Sequence, residues 1–119
     1  MRRKFLASFS ACLLAFVLLL IAAEAQALNY PDILGKWCSA TARMTLTRDT
    51  MSIFLFSTKK NASFRIKNYE FAGPLVTVNW YDDKELSSST FGEFSADRRI
   101  IFLQPDKGSN IPRREYRRC

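Results

Sequence analysis

Histidine is absent from this sequence of 119 residues, and glycine is scarce. Without histidine, a Ser–His–Asp triad, a Cys–His pair, histidine acid–base catalysis and histidine-ligated zinc are impossible within the chain. The four glycines are scattered, so no glycine-rich phosphate-binding loop is present. Apolar residues at helical spacing are missing as well, which argues against amphipathic helices. We therefore expect a protein that is not an enzyme and has no cofactor.

Carboxylates are the remaining candidates for chemistry. Asp82, Asp83 and Glu85 lie in one short segment, where their oxygens could bind calcium. Lys84 stands among them and the spacing matches no EF-hand loop, so a solvated hairpin turn explains them better. Nothing in the sequence supports a glycosidase pair such as Glu85 and Glu93. We expect neither a metal site nor a catalytic site.

The N-terminal segment has the three parts of a secretory signal peptide. A basic start at 2–4 is followed by an almost wholly apolar stretch at 5–23 and by small residues at its exit. The predicted signal peptide is 1–27, and the remaining 28–119 form a single small domain in a secreted or periplasmic location. The alternative is an uncleaved anchor, because an apolar stretch of this length could span a bilayer.

Cysteine is also rare, and its placement is informative. Cys12 lies within the predicted signal peptide, so the domain keeps only Cys38 and Cys119. In an oxidising compartment two cysteines have one intramolecular pairing, and we predict a Cys38–Cys119 disulfide in a monomer. This bond would tie the first strand to the end of the chain. The alternative is an intermolecular bond through Cys119.

Short stretches of alternating apolar and polar residues predict strands along the domain. In the clearest, 75–81, the side chains of Val76, Val78 and Trp80 face one way. Pro31 favours a turn or a short helical turn before the first strand. The sequence therefore predicts an all-β fold, an antiparallel meander of six to eight strands that forms a barrel or a curved sheet, preceded by the signal-peptide helix. The predicted strands are 36–39, 43–48, 51–57, 62–71, 75–81, 88–95, 99–104 and a final strand or tail at 111–119.

The motif Gly35-Lys36-Trp37 resembles the G-x-W signature that opens lipocalins and related calycin barrels. In those folds the tryptophan packs across the closed end and the glycine lets the chain pass close by. Small secreted bacterial barrels, including periplasmic protease inhibitors, resemble this chain in size, signal peptide and single disulfide. The resemblance implies a binding or inhibitor-type module. Its alternative implication is a small-molecule carrier, with Trp37 and Trp80 lining the site.

Arginines near the C-terminus are the main candidates for a binding surface. They would form one patch if the last two strands are neighbours, and arginine suits anionic partners through bidentate contacts. The alternative is a solvated edge strand whose charges prevent aggregation. The predicted domain has 15 basic and 10 acidic residues, a net charge of +5 that is modest for a nucleic-acid binder. We therefore expect a protein or an anionic envelope surface as partner, and membrane contact only through an uncleaved signal segment. The candidate residues are Arg98, Arg99, Arg113, Arg114, Arg117 and Arg118.

Overall fold

Eight antiparallel strands close into a barrel in the computed structural model, which describes residues 27–106, 108 and 112–119. Each strand pairs with the next in the chain, and β8 returns to pair with β1. This confirms the predicted all-β meander and shows that it is closed. The bounds are α1 Tyr30–Ile33, β1 Gly35–Cys38, β2 Ala42–Leu46, β3 Thr50–Leu55, β4 Asn61–Ala72, β5 Leu75–Asp82, β6 Glu85–Gly92, β7 Ile100–Leu103 and β8 Arg114–Arg118.

The predicted signal peptide, apart from Ala27, lies outside the described residues. Among the residues that are described, no helix combines the length and the apolar character needed to cross a membrane. The helix that is described, α1, is the short helical turn expected before the first strand. Asn29 caps it, since its side chain accepts from the Tyr30 amide while its own amide donates to Asp32.

The sixth strand differs most from its prediction. It was expected over 88–95, but β6 begins at Glu85, because Glu85 pairs directly with Asp82 across a turn of two residues. The serine-rich start of β6 lacks the apolar alternation that identifies a strand. Phe94, expected within the strand, lies in the connection to β7.

A β-bulge explains the irregular alternation in β4. The register shifts between Ile66 and Asn68, so Lys67 is an extra residue in the ladder. Ile66 before the bulge and Tyr69 after it are therefore both buried, although an uninterrupted strand would turn them to opposite faces. The bulge keeps both halves of the longest strand packed on the core.

The side chain of Trp37 closes one end of the barrel. It is 0% exposed, and its Nε1 donates to the Ile33 carbonyl of α1 at 2.8 Å. Gly35 has φ of +119°, and a Cβ at this position would lie 2.5 Å from Nη1 of Arg118. The glycine is thus required both for the backbone conformation and for the approach of Arg118. The remaining buried core consists of Ile33, Ala42, Met44, Leu46, Met51, Ile66, Tyr69, Val76, Val78, Phe91, Ile101 and Tyr116.

The predicted disulfide is present. Cys38 in β1 and Cys119 after β8 are joined, with their Cα atoms 5.3 Å apart and 81 positions apart in the sequence. The bond therefore fixes the two strands whose pairing closes the barrel.

The double variant Cys38→Ser/Cys119→Ser should be less stable by about 2–5 kcal/mol, because the chain-entropy model gives about 4.5 kcal/mol for a loop of this length. Urea denaturation of the oxidised protein and the variant measures the difference. Reductant should destabilise the parent protein and leave the variant unchanged. Equal urea midpoints for parent and variant would show that the bond does not stabilise the barrel.

Tyr69 forms a buried contact between β4 and the β2–β3 turn. Its hydroxyl donates to the Thr47 carbonyl at 2.6 Å, and its ring packs edge-on against Tyr30. Burial raises the pKa of Tyr69 well above its ordinary value of 10.0, and the nearby Tyr30 adds to the effect. Folding therefore favours the protonated phenol.

Stability should fall as the pH rises above about 10, because the unfolded chain then loses the Tyr69 proton while the folded chain keeps it. Below that pH the stabilisation linked to the Tyr69 proton is fully present. Between pH 10 and 11 the parent protein should lose about 1 kcal/mol more than Tyr69→Phe does, as measured by urea denaturation at each pH. Parallel pH profiles for the two proteins would contradict this assignment.

Candidate functional site

The two ends of the barrel present different chemistry. Helix α1 covers the end at which β1 begins, where Tyr30 packs against Tyr69 and Phe71. The opposite end includes the turns at 39–41, 56–60 and 83–84. We call this the open end, because α1 covers only the other one.

The β3–β4 hairpin extends beyond β5 at the open end, whereas on its other side it stays paired, since Leu55 pairs with Ala42 of β2 and the Phe56 amide donates to the Thr41 carbonyl. The first residues of β4, 61–64, pair with β3, whereas pairing with β5 begins only at Arg65. The extension carries two adjacent exposed apolar side chains, Leu55 at 42% and Phe56 at 41%. The edge of the Phe56 ring contacts Phe54, with the centroids 6.0 Å apart. We call Leu55 and Phe56 the hairpin tip.

The hairpin tip is part of an uneven distribution of exposed apolar side chains. In the described part of the chain, four large apolar residues are exposed, and Leu55, Phe56 and Leu86 lie at the open end. The fourth, Leu75, lies at the other end, where β5 begins. Isolated exposed leucines are ordinary, whereas adjacent exposed apolar side chains at the end of a hairpin can form part of a contact surface.

Large apolar side chains lie in the barrel interior. Trp37 is fully buried, which favours the packing role over the ligand-lining role that the resemblance offered as an alternative. Trp80 is half-buried, with its ring 4.8 Å from that of Phe64 and its Nε1 donating to Ser89 at 3.1 Å. Two clefts lined by described residues measure about 80 and 290 Å³. Small-molecule pockets usually hold about 300–1,000 Å³, so the smaller cleft is well below this range and the larger cleft lies at its lower limit.

The six arginines predicted as one patch are distributed over several surroundings. Arg113 forms an ion pair with Glu93, with Nη1 and Oε1 3.0 Å apart. Its guanidinium also lies over the ring of Phe102, 4.1 Å from the ring centroid. Arg98 is 3.7 Å from Asp32, near the closed end. These residues and Arg118 hold parts of the fold together. The structure therefore does not bring the six arginines together on one surface.

Strand alternation separates the arginines of β8 further. Tyr116 is buried, so Arg114 and Arg118, two positions away on either side, lie on the inward-facing side of the strand. Arg117 faces outward, where it pairs with Glu115 at 3.3 Å. Neighbours in the sequence are thus on opposite faces of the wall.

Arg118 is the most constrained of the six. Its Nη1 donates to the Leu34 carbonyl at 2.6 Å, and its Nη2 donates to Pro31 and Asp32 at 3.0 and 3.1 Å. The guanidinium also lies over Trp37, 3.9 Å from the ring centroid. Burial lowers the pKa of Arg118, and the charge of Arg99 lowers it further, while Asp32 acts in the opposite direction. Arg118 is a structural residue that attaches α1 to the barrel.

Two cations that the sequence analysis did not single out lie on the outer wall near Arg117. On the outer wall Cys38 pairs with Arg117 on one side and with Arg43 on the other. Lys36 is two residues before Cys38 and faces the same way. Arg99 lies apart from them, because the Arg118 amide donates to its carbonyl at 2.9 Å, which makes Arg99 the neighbour of the inward-facing Arg118. We call Lys36, Arg43 and Arg117 the basic belt; only the strand register reveals it.

Comparison with known proteins supports the fold. The barrel is similar to the crystal structure of a lipocalin-like protein from Bacteroides uniformis, with a TM-score of 0.51 and 13% sequence identity. The match covers 74% of this chain and 99% of that chain. The sequence matches no protein-family model and no curated protein. The likeness shows the fold alone, and it confirms the lipocalin-like barrel that Gly35-Lys36-Trp37 implied.

Arg118→Lys should destabilise the protein by about 2 kcal/mol, because a single ammonium cannot replace a fork that reaches three carbonyls. Arg117→Lys is the matched control, since the Arg117 side chain is exposed, and it should change stability by less than about 0.5 kcal/mol. Urea denaturation measures both. A similar effect for the two variants would contradict the special role of Arg118.

Proposed function

We propose that the chain is an extracytoplasmic, non-enzymatic binding module of the inhibitor type, and that its partner is a protein bound by the hairpin tip. The observation that carries the proposal is the pair of exposed apolar side chains, Leu55 at the end of β3 and Phe56 directly after it, where the hairpin extends beyond β5. Aromatic residues are enriched in the buried centres of protein interfaces, and a few such residues account for most of the binding energy.

The barrel supports the tip as a rigid element. The tip is continuous with β3 and β4, which pair over five positions, from Thr50 with Arg65 to Phe54 with Asn61. The closed barrel and the Cys38–Cys119 bond limit the movement of these strands. An apolar group that is already held in place loses little conformational entropy on binding. A rigid apolar group at the end of a barrel can enter the concave site of an enzyme, which is the reason for proposing an inhibitor.

Three further features support the location and the absence of catalysis. The predicted signal peptide directs the chain out of the cytoplasm, and a disulfide persists in an oxidising compartment. A lipocalin-like barrel is consistent with that location. The lack of histidine removes the commonest acid–base group of enzymes, which supports a binding role.

Phe56→Ser should weaken partner binding at least tenfold, because a buried aromatic anchor typically contributes more than about 1.4 kcal/mol. The oxidised domain serves as bait for extracytoplasmic proteins of its source, and titration with the captured protein gives the dissociation constant. Leu75→Ser is the control, since Leu75 is exposed to a similar extent, 39%, at the other end.

Binding that Phe56→Ser leaves intact, or that Leu75→Ser weakens equally, would remove the hairpin tip as the binding surface. Native mass spectrometry of the purified domain addresses the carrier alternative in the same preparation. A stoichiometric small molecule retained by the protein, with no captured partner, would favour a carrier over an inhibitor.

A further inference from the structure

Strand β6 is longer than the part of it that β7 covers. It has eight residues, and β7 pairs only with the last two, Phe91 and Gly92. One hydrogen bond extends this pairing, since the Gln104 amide donates to the Thr90 carbonyl at 2.8 Å. Over 85–89, β6 pairs with β5 on one side, and no described residue pairs with it on the other. We call this stretch of the closed barrel the β6 edge.

Leu86 and Ser88 direct their backbone groups out of the β6 edge. In an antiparallel sheet a residue directs its N–H and C=O groups to one neighbouring strand, and the next residue directs them to the other. The Thr90 carbonyl faces β7, so the amides and carbonyls of Ser88 and Leu86 face the same side. In the described part of the chain nothing bonds to them there. Both residues are exposed, so these groups are open to another molecule.

A cleft lies between the β6 edge and the chain that follows β7. It measures about 80 Å³, and its lining consists of Ser88, Ser89, Leu103, Gln104, Pro105, Asp106 and Pro112. On the β6 side the lining residues are serines, and residue 87 is a serine as well. Side chains of this size leave the backbone of the strand accessible. An occupant would therefore contact mainly the main-chain groups of β6.

The charges around the β6 edge are mainly negative. The β5–β6 turn, 82–85, carries three carboxylates and one lysine, and all four side chains are exposed. Asp106 adds an exposed carboxylate in the cleft. No ion pair joins these carboxylates to a cation of the described residues. The arginines that follow Pro112, Arg113 and Arg114, line the other cleft. The β6 edge thus favours a basic partner over an acidic one.

The spacing of the free backbone groups matches an extended peptide. Two residues of a strand span about 6.8 Å, so Leu86 and Ser88 present their amides and carbonyls at the repeat of a second strand. A peptide that lies along an open strand edge gains its affinity from main-chain hydrogen bonds of this kind. The pattern of donors and acceptors therefore identifies a peptide backbone as the occupant.

We propose that the β6 edge binds an extended basic segment of a protein as an additional strand. Leu86 and Ser88 donate through their amides and accept through their carbonyls, and lysine or arginine side chains of the segment lie near Asp106 and the β5–β6 turn. This site is separate from the hairpin tip, because β5 lies between β4 and β6. Peptide binding should therefore persist in Phe56→Ser, and the failure of either proposal leaves the other standing.

Amide hydrogen exchange of the oxidised domain, followed by NMR, tests whether the edge is free. The amides of Leu86 and Ser88 should exchange at least about tenfold faster than those of Ser87 and Ser89, which face β5. Equal protection of all four amides in a monomeric domain would overturn the proposal. Protection of Leu86 and Ser88 in a domain that native mass spectrometry shows to be a dimer would assign the edge to a second copy of the chain.

The probe for binding is a displayed library of random peptides of about twelve residues, selected on the oxidised domain. The selected peptides should be rich in lysine and arginine, and the synthetic peptide should slow the exchange of Leu86 and Ser88. Methylation of each backbone nitrogen of the peptide in turn should weaken binding at least about tenfold at alternate positions and within about twofold between them. This period of two is the signature of strand addition.

Ser88→Pro removes the central amide of the edge, and Ser88→Ala is its matched control. Both variants lose the hydroxyl that donates to Asn79 at 2.6 Å, so the comparison isolates the amide. Proline is tolerated in a strand where the N–H faces away from the sheet. Calorimetric titration with the selected peptide should show at least about tenfold weaker binding for Ser88→Pro, and binding within about twofold of the parent for Ser88→Ala. The exchange and methylation patterns test the site without relying on the fold of a variant.

Three further results would overturn the proposal. The first is a selection that yields no peptide or only acidic peptides. The second is a loss of binding on methylation that does not alternate along the peptide, which would mean that side chains govern recognition. The third is unchanged binding by a folded Ser88→Pro variant, which would place the peptide elsewhere on the barrel.

Discussion

The pairing of β1 with β8 is the constraint on which the rest of the molecule depends. It turns an open meander into a closed barrel and removes the two edges at which an open sheet would aggregate. It places Cys38 next to the end of the chain for the disulfide. It also places Arg118 over Trp37, where its guanidinium reaches the carbonyls around α1. Backbone pairing, the disulfide and the contact of Arg118 with Trp37 thus all act where β1 meets β8.

The pairing of β1 with β8 also determines which charged side chains face outward, where other molecules can contact them. Because successive residues of a strand face opposite sides, Arg118 enters the closed end while Arg117 points outward beside the disulfide. A run of arginines in the sequence is thereby divided between structural and surface roles. Closure also brings the outward Arg117 next to Lys36 and Arg43, which come from the other end of the domain. The basic belt exists only because the barrel is closed.

The hairpin tip and the basic belt are neighbouring surfaces with opposite chemistry. Phe54 contacts both, since Arg43 lies over its ring and the ring of Phe56 packs against it. The rigid barrel keeps the two surfaces at a constant distance, because both belong to the same closed sheet.

The local pattern of residues was sufficient to predict the strands, the short helix, the disulfide and the lipocalin-like resemblance of Gly35-Lys36-Trp37. The strands and turns depend on apolar–polar alternation and on turn residues, which are local in the sequence. The disulfide depends on the cysteine count, because two cysteines have one intramolecular pairing. The start of β6 was mispredicted because its serines carry no apolar signal. The allocation of the arginines and the basic belt came only from the tertiary structure. Register and closure set which distant residues are neighbours, and these depend on pairing between strands that are far apart in the chain.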